Sequence, residues 1–387
     1  MLLKRNKFTF NLHLILSLVA ALPLFIILFS APFLSYRVEL SKLFRQSQMQ
    51  ISPSGEPKTA EEILIALKEK TNFDTLTAIN FAQSTDTAWR VALVVDKKQK
   101  TYLLDPATAE ILGEDNGDTF TRVAMSLHRN LGLALLGMQS DTARIVGKNI
   151  VAISSVIMAI LVVSGVWLYW PFIRKNFAQS LKFNPKARGY GFFYRFHASL
   201  GLWTGVLLFV MALTGLYWSY DFVRGGVNAA FGVSVTQNAA QRRETQKMSD
   251  AQIAQVAQAI DGFKSQISGG FSSASLNLRD KKGEIFVIKF TPKNGGDTQN
   301  FLIGAQNGKQ EQNLTQNQTP TKSADKPAAA QNAKQNFDAR SVSKLMLSIH
   351  TGEILGEAGR AIFALAVVLA MAVVASGFIM TFKRVNK

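Results

Sequence analysis

YRFHASLGLWTGVLLFVMALTGLYWSY, residues 194–220, decides the fold. From His197 onward it carries no Asp, Glu, Lys or Arg, and it is long enough to cross a bilayer, which takes roughly 20 mostly apolar residues. A titratable side chain inside such a run is expensive in hydrocarbon, so His197 marks a candidate functional site. Gly201 lies one helical turn further on the same face and leaves room there for something flat and bulky. Tyr217, Trp218 and Tyr220 close the run as an interfacial aromatic belt would.

The N-terminus repeats this run. A shift of 184 residues places His13 on His197 and Tyr36 on Tyr220, and Leu16, Leu18, Leu24, Phe25 and Ser35 also fall on identical residues. Ser17 falls opposite Gly201, and Ser30-Ala31 opposite Thr214-Gly215. Leucine-rich helices resemble one another cheaply. The shared histidine, the small residues and the Ser-Tyr ending carry the repeat.

Working outward, the sequence reads as a mainly α membrane protein, a four-helix transmembrane bundle with two large external loops. Residues 1–36, 148–173, 196–221 and 359–387 hold the four spans, the last with a basic tail, and Pro171 is expected to stop the second. A cleaved leader is the rival reading for the first span. Its apolar run exceeds the usual core of a leader and ends in no small-x-small site. The 387 residues carry a formal net charge of +17, which by itself would suit nucleic acid. The basic residues cluster instead at Lys4, Arg5 and Lys7, through the linker 174–195 from Arg174 to Arg195, and at Lys383, Arg384 and Lys387, with no Asp or Glu in those segments. That is the positive-inside pattern: both termini and the linker lie in the cytoplasm, the loops are periplasmic, and the partner is inner-membrane lipid rather than nucleic acid. The linker is too short for a nucleotide domain, and the chain has no glycine-rich phosphate loop.

The first external segment, 37–147, reads as a helix over Glu61–Lys70, strands in LTAINFA and WRVALVVD, a return strand in TYLLD, and a closing DPATAEILGE. Its Val94, Asp96, Asp105, Ile111 and Leu112 resemble the hairpin of a PepSY domain. Residues 122–138 read as a membrane-surface helix carrying His128, with Gly132 four residues on. The second segment, 222–358, reads as a helix in SDAQIAQVAQAIDGF, a hairpin in SASLNLRD and GEIFVIKFT, and a return strand in NFLIGAQNGK, a degenerate second copy of the first small α+β domain. Residues 305–337, rich in Gln, Asn, Ala and Lys, read as a disordered insertion.

The chain has four histidines and no cysteine, which excludes thiolate metal sites, iron–sulfur clusters and thioether-linked haem. One histidine accompanies each span. His13 and His197 sit at the cytoplasmic starts of spans one and three, and His128 and His350 lie on the outer side, ahead of spans two and four. The halves thus supply two pairs stacked across the membrane. Imidazole is a standard axial ligand of haem iron, and bundles build such sites from facing helices. Two histidines per site, flanked by small residues, suit six-coordinate b-type haem, two in all, whereas a bare zinc or copper ion wants more donors. The bland alternative is four histidines that only hydrogen-bond their neighbours. Arg129 and Arg360 are candidate propionate partners or plain interfacial anchors. Tyr217, Trp218, Trp203 and Trp167 are candidates for an electron path or plain packing aromatics.

The chain resembles the PepSY-associated transmembrane family, which includes ferric-siderophore reductases. The resemblance rests on Phe196-His197-x3-Gly201, Thr214-Gly215-Leu216, Leu127-His128-Arg129, Ser164-Gly165, Ile349-His350-Thr351-Gly352-Glu353 and Gly359-Arg360. It implies a di-haem oxidoreductase taking electrons from a cytoplasmic reductase or quinol and reducing a periplasmic ferric siderophore. Two readings of other classes stand beside it: a membrane-anchored PepSY-type regulator of periplasmic proteases or envelope partners, and a siderophore or metal transporter. The transporter is disfavoured by four spans that contain no carboxylate.

Overall fold

The computed structural model describes residues 2–52, 55–96, 98–136, 141–233, 247–278, 285–304 and 338–385. The 305–337 insertion lies outside them. The elements run in chain order α1 (Leu2–Ser35), α2 (Arg37–Met49), α3 (Ala60–Thr71), β1 (Thr75–Phe81), β2 (Trp89–Val95), β3 (Lys98–Leu104), β4 (Ile111–Glu114), α4 (Asn116–Asn130), α5 (Asp141–Lys175), α6 (Phe177–Ser180), α7 (Gly189–Ser219), α8 (Asp221–Ala230), α9 (Asp250–Gln266), β5 (Phe271–Asn277), β6 (Ile285–Pro292), β7 (Gln299–Gly304), α10 (Ala339–Thr351) and α11 (Gly356–Val385). They form two compact units, a helical one made of residues 1–40, 121–237 and 331–387, and a sheet unit made of 41–120 and 238–330.

Four helices of the first unit are long and apolar enough to cross a membrane, over Lys7–Ser35, Asp141–Lys175, Gly189–Ser219 and Glu353–Lys383. α1 and α7 each pack against both α5 and α11, so the two repeat-related helices occupy opposite corners of a four-helix bundle. In lipid every backbone N–H and C=O must be satisfied within the segment, which is why apolar runs of this length become helices. Pro171 does not stop its helix: α5 continues to Lys175. The pyrrolidine ring fixes a helix-compatible φ, so the helix runs one more turn past the proline at the loss of one backbone bond.

The sheet unit is a seven-stranded antiparallel sheet in the order β4-β3-β2-β1-β5-β6-β7. Each loop contributes a helix followed by a meander, and both helices open with a reciprocal capping box, Thr59 with Glu62 and Ser249 with Gln252. The two meanders join edge to edge through β1 and β5, with Ala78 opposite Asn277 and Phe81 opposite Ala274. Helices α3 and α9 pack together over the shared core, in which Ile63, Leu67, Ile79, Trp89, Ile260, Phe263 and Ile303 are buried. Joining gives each short meander a partner for the edge it would otherwise expose, and two marginal cores become one. The two small domains read from the sequence are therefore halves of one sheet.

Candidate functional site

The four histidines meet in two pairs, each taking one member from each half. The rings of His13 on α1 and His197 on α7 lie 6.5 Å apart between centroids at an interplanar angle of 84°. Those of His128 on α4 and His350 on α10 lie 6.3 Å apart at 75°. Because α1 and α7 stand at opposite corners, His13 and His197 point across the middle of the bundle.

Each ring is held from behind by a neighbouring helix. His13 Nδ1 lies 2.8 Å from Ser164 Oγ on α5, and His197 Nδ1 lies 2.9 Å from the Val373 carbonyl and 3.2 Å from Ser376 Oγ on α11. His128 Nδ1 lies 3.1 Å from the Ile27 carbonyl and 3.2 Å from Ser30 Oγ on α1. His350 Nδ1 lies 3.0 Å from Thr214 Oγ1 on α7, beside the Met211 carbonyl. The partners fix the tautomer. A carbonyl only accepts, and each hydroxyl already spends its one proton on a carbonyl of its own helix: Ser164 on Ile160, Ser376 on Val373, Ser30 on Ile26, Thr214 on Val210. The Nδ1 atoms of His197, His128 and His350, which face carbonyls, must therefore donate, and with the Ser164 proton on Ile160 the same assignment holds for His13, leaving a lone pair on each Nε2. Among the described residues no Nε2 has a hydrogen-bond partner.

A glycine follows three of these hydroxyl residues and lets the ring lean on the helix behind it. A Cβ on Gly165 would stand 3.4 Å from His13 Cε1, on Gly377 3.2 Å from His197 Cε1, and on Gly215 3.4 Å from His350 Cε1. At the fourth place, after Ser30, stands Ala31. Ser30 is 17 residues beyond His13, and Thr214 the same 17 beyond His197. At about 1.5 Å per residue, the two levels of the bundle are separated by ~25 Å along α1 and α7, close to the ~30 Å of hydrocarbon in a bilayer.

The pair His13/His197 borders a cavity of about 440 Å3, lined also by Ser17, Gly165, Gly201, Gly377 and Tyr194. A Cβ on Gly201 would meet nothing within 4 Å, so this glycine opens onto free space beside the histidines. Among the described residues no group of three or more His, Asp or Glu comes together, and the donors come in twos. At the His13/His197 level, where the cavity lies, this arrangement fits a porphyrin iron held from both sides, and the His128/His350 pair repeats the ring spacing. Nε2 atoms at about 2.0 Å from a metal, each about 1.1 Å from its ring centre, would set the centroids about 6.2 Å apart, against 6.5 and 6.3 Å here. Metal-bound histidine also characteristically donates its other N–H to a carbonyl or hydroxyl behind it.

Three other residues singled out from the sequence require correction or qualification. Gly132 stands at φ +70°, in the left-handed turn that ends α4, with its N–H on the Ser126 carbonyl at 3.0 Å. A Cβ there would strike Leu127 at 2.9 Å, so this glycine serves helix termination and makes no opening beside His128. Arg360 already grips carboxylates, Glu39 and Glu357 at 2.7 Å each and Glu353 at 4.0 Å, and lies 4.5 Å over the Tyr36 ring. Both close carboxylates share its Nη2, while its Nε is buried without a hydrogen-bond partner, so Arg360 is a carboxylate anchor with part of its fork unspent. Arg129 is exposed and makes no hydrogen bond or ion pair among the described residues.

Of the aromatics, Trp218 meets His350 edge-on at 5.6 Å, and buried Tyr217 bonds Asn228 and Ser343 at 3.1 and 2.8 Å. Trp203 and Trp167 stand 62% and 55% exposed. Sequence reasoning missed the roles of Ser164, Ser376, Ser30 and Thr214. The available signal was a hydroxyl-then-small dipeptide, Ser-Gly, Ser-Ala or Thr-Gly, which occurs once in spans one, two and four and twice in span three, at Thr204-Gly205 and Thr214-Gly215.

A comparison with curated proteins finds no match. The profile of the PepSY-associated TM region matches residues 10–384, all four long helices and both halves of the sheet. The chain belongs to the PepSY-associated transmembrane family.

Proposed function

We propose that this chain is a di-haem electron carrier of the inner membrane that reduces a ferric siderophore on the periplasmic side. The observation that carries the reading is the pairing: four imidazoles, each with Nδ1 held from behind by a neighbouring helix, stand in two pairs, one member from each half, with centroids 6.5 and 6.3 Å apart. Bis-imidazole haem at each level supplies reversible one-electron chemistry between Fe(III) and Fe(II), with electrons entering from a cytoplasmic reductase or quinol.

The residues of the chain do the rest. His13 with His197, and His128 with His350, would hold such an iron with two imidazoles each, which would favour electron transfer over binding or oxygenation. Ser164, Ser376, Ser30 and Thr214 hold the rings still, so little reorganises when charge changes at the iron. Gly165, Gly377 and Gly215 set the rings against their helices, and Gly201 keeps one side of the inner cavity clear. Two levels ~25 Å apart along the helices bring a redox group near each face. One level alone would leave most of the hydrocarbon to cross. Delivering an electron to a siderophore-bound Fe(III) releases the metal, because hard oxygen chelators hold Fe(II) far less tightly.

The test is an absorption spectrum of the full chain purified from cells supplied with haem, oxidised and then reduced with dithionite. The expected result is a bis-imidazole b-type spectrum at two haems per chain, falling to one in His128→Ala or His197→Ala. A haem-free protein from haem-replete cells overturns the reading and favours the membrane-anchored regulator.

A further inference from the structure

Residues 181–188 turn the chain from α6 into α7, and this short turn is fastened to the bundle. Ser199 Oγ donates to the Ser180 and Lys182 carbonyls at 3.0 and 3.1 Å. Trp203 Nε1 donates to the Leu181 carbonyl at 3.1 Å, and Arg195 to the Gln179 carbonyl at 3.2 Å. Asn184 Oδ1 then accepts from the Lys186 N–H at 3.0 Å and closes the turn. Four successive carbonyls, Gln179 to Lys182, are thus bound by α7 side chains.

The turn borders an open pocket of about 350 Å3 with Lys182, Phe183, Asn184 and Arg195 among its lining. Arg195 is held in place by neutral groups, its guanidinium 4.1 Å over the Phe172 ring and donating to Tyr169 Oη at 3.2 Å. Two of its five N–H donors are spent on the Gln179 carbonyl and Tyr169, and three remain. No Asp or Glu occurs anywhere in residues 171–195, so Lys182 and Arg195 bring two positive charges to the cavity with no carboxylate to neutralise them. Nearby stand exposed apolar side chains, Phe177 at 60% and Trp203 at 62%. The orientation preference of basic loops asks only for charge near the membrane. It gives no reason to fasten the turn at four carbonyls or to stack an arginine beneath a cavity.

We propose that this cavity binds the phosphate of an anionic phospholipid, seated between Lys182 and Arg195 with its acyl chains along Phe177 and Trp203. Arginine's planar fork and lysine's point charge are the usual partners of phosphate oxygens. Basic pockets between transmembrane helices are the common form of headgroup recognition. The exposed aromatics Phe177 on α6 and Trp203 on α7, the latter bonded to the turn at Leu181, favour a lipid over a soluble phosphate.

The experiment is native mass spectrometry of the full-length chain, delipidated in detergent and titrated with phosphatidylglycerol or phosphatidylcholine. The expected result is one tightly retained phosphatidylglycerol per chain, preferred about tenfold over phosphatidylcholine. Lys182→Glu is expected to abolish that preference, and Arg195→Lys, which keeps the charge but loses the fork, to weaken it several-fold. Lys175→Glu makes the same change in net charge outside the cavity and is expected to leave the preference intact. Equal retention of the two lipids, or equal losses in Lys182→Glu and Lys175→Glu, overturns the proposal. Displacement of the lipid by 10 mM inorganic phosphate assigns the cavity to a soluble phosphate and overturns it as well.

Discussion

Replacing Ser164 by alanine and, separately, Ser376 by alanine makes a matched pair, because the two serines do the same task with different backing. Ser164 Oγ, at 2.8 Å, is the one hydrogen-bond partner of His13 Nδ1 among the described residues. His197 Nδ1 keeps the Val373 carbonyl at 2.9 Å when Ser376 Oγ, at 3.2 Å, is removed. A buried N–H left without an acceptor costs about 1–3 kcal/mol, which corresponds to about 5- to 150-fold in an equilibrium constant. That range contains the 10–100-fold typical for losing a group that orients a metal ligand. Ser164→Ala is therefore expected to weaken haem binding at the His13/His197 level by about 10–100-fold, and Ser376→Ala by a few-fold at most. The serine's own proton adds little to the difference, since Ile160 and Val373 keep their helical backbone bonds. The assay is haem titration of the apo chain in detergent, followed at the Soret band, with His128→Ala in the background so that one level is read at a time. Equal losses in the two variants, or no loss in Ser164→Ala, refutes the tautomer argument.

Gly201→Leu projects into open space, so it is expected to leave thermal stability unchanged while lowering haem content from two to one per chain. Gly377→Leu starts from a Cβ 3.2 Å from His197 Cε1 and is expected to lose the same haem along with stability, both read by pyridine haemochrome and thermal unfolding. In the sheet unit, Asp115 is fully buried and paired with Arg45 at 3.2 Å and with Arg90. Asp115→Asn leaves Arg45 and Arg90 only Asp118, at 3.7 and 2.6 Å, and is expected to destabilise that unit by about 1–3 kcal/mol, measured by limited proteolysis. Burial alone would raise the Asp115 pKa, but the Arg90 hydrogen bond and the charges of Arg90 and Arg45 outweigh it and hold the carboxyl below its usual value. For an acid whose folded pKa is depressed, the stability is present above the unfolded value near 3.9 and drains away as pH falls through the folded one. Acid unfolding of the sheet unit below about pH 4 is thus expected to be steeper in wild type than in Asp115→Asn, and parallel curves refute the assignment.

The sequence by itself determined the elements. Apolar runs longer than 20 residues become spanning helices because lipid offers the backbone no other partner, and the alternation in LTAINFA, WRVALVVD and GEIFVIKFT becomes strands because one face must be buried. It also named all four histidines, since an imidazole near or within such a run is conspicuous and the 184-residue repeat pairs two of them. Proline and glycine were less legible. Pro171 is helix-compatible where a stop was expected, and Gly132 answers to a left-handed backbone rather than to a neighbour.

What only the tertiary structure decided are contacts between residues far apart in the chain. The pairing of β1 with β5 joins segments almost 200 residues apart, and no local period records which strand edge meets which. Arg360 looked free until Glu39, 321 residues away, closed on it. The orientation of the imidazoles is of the same kind. A histidine's proton sits on whichever nitrogen faces an acceptor, and that acceptor is a serine, a threonine or a carbonyl on another helix, brought there only when the bundle packs.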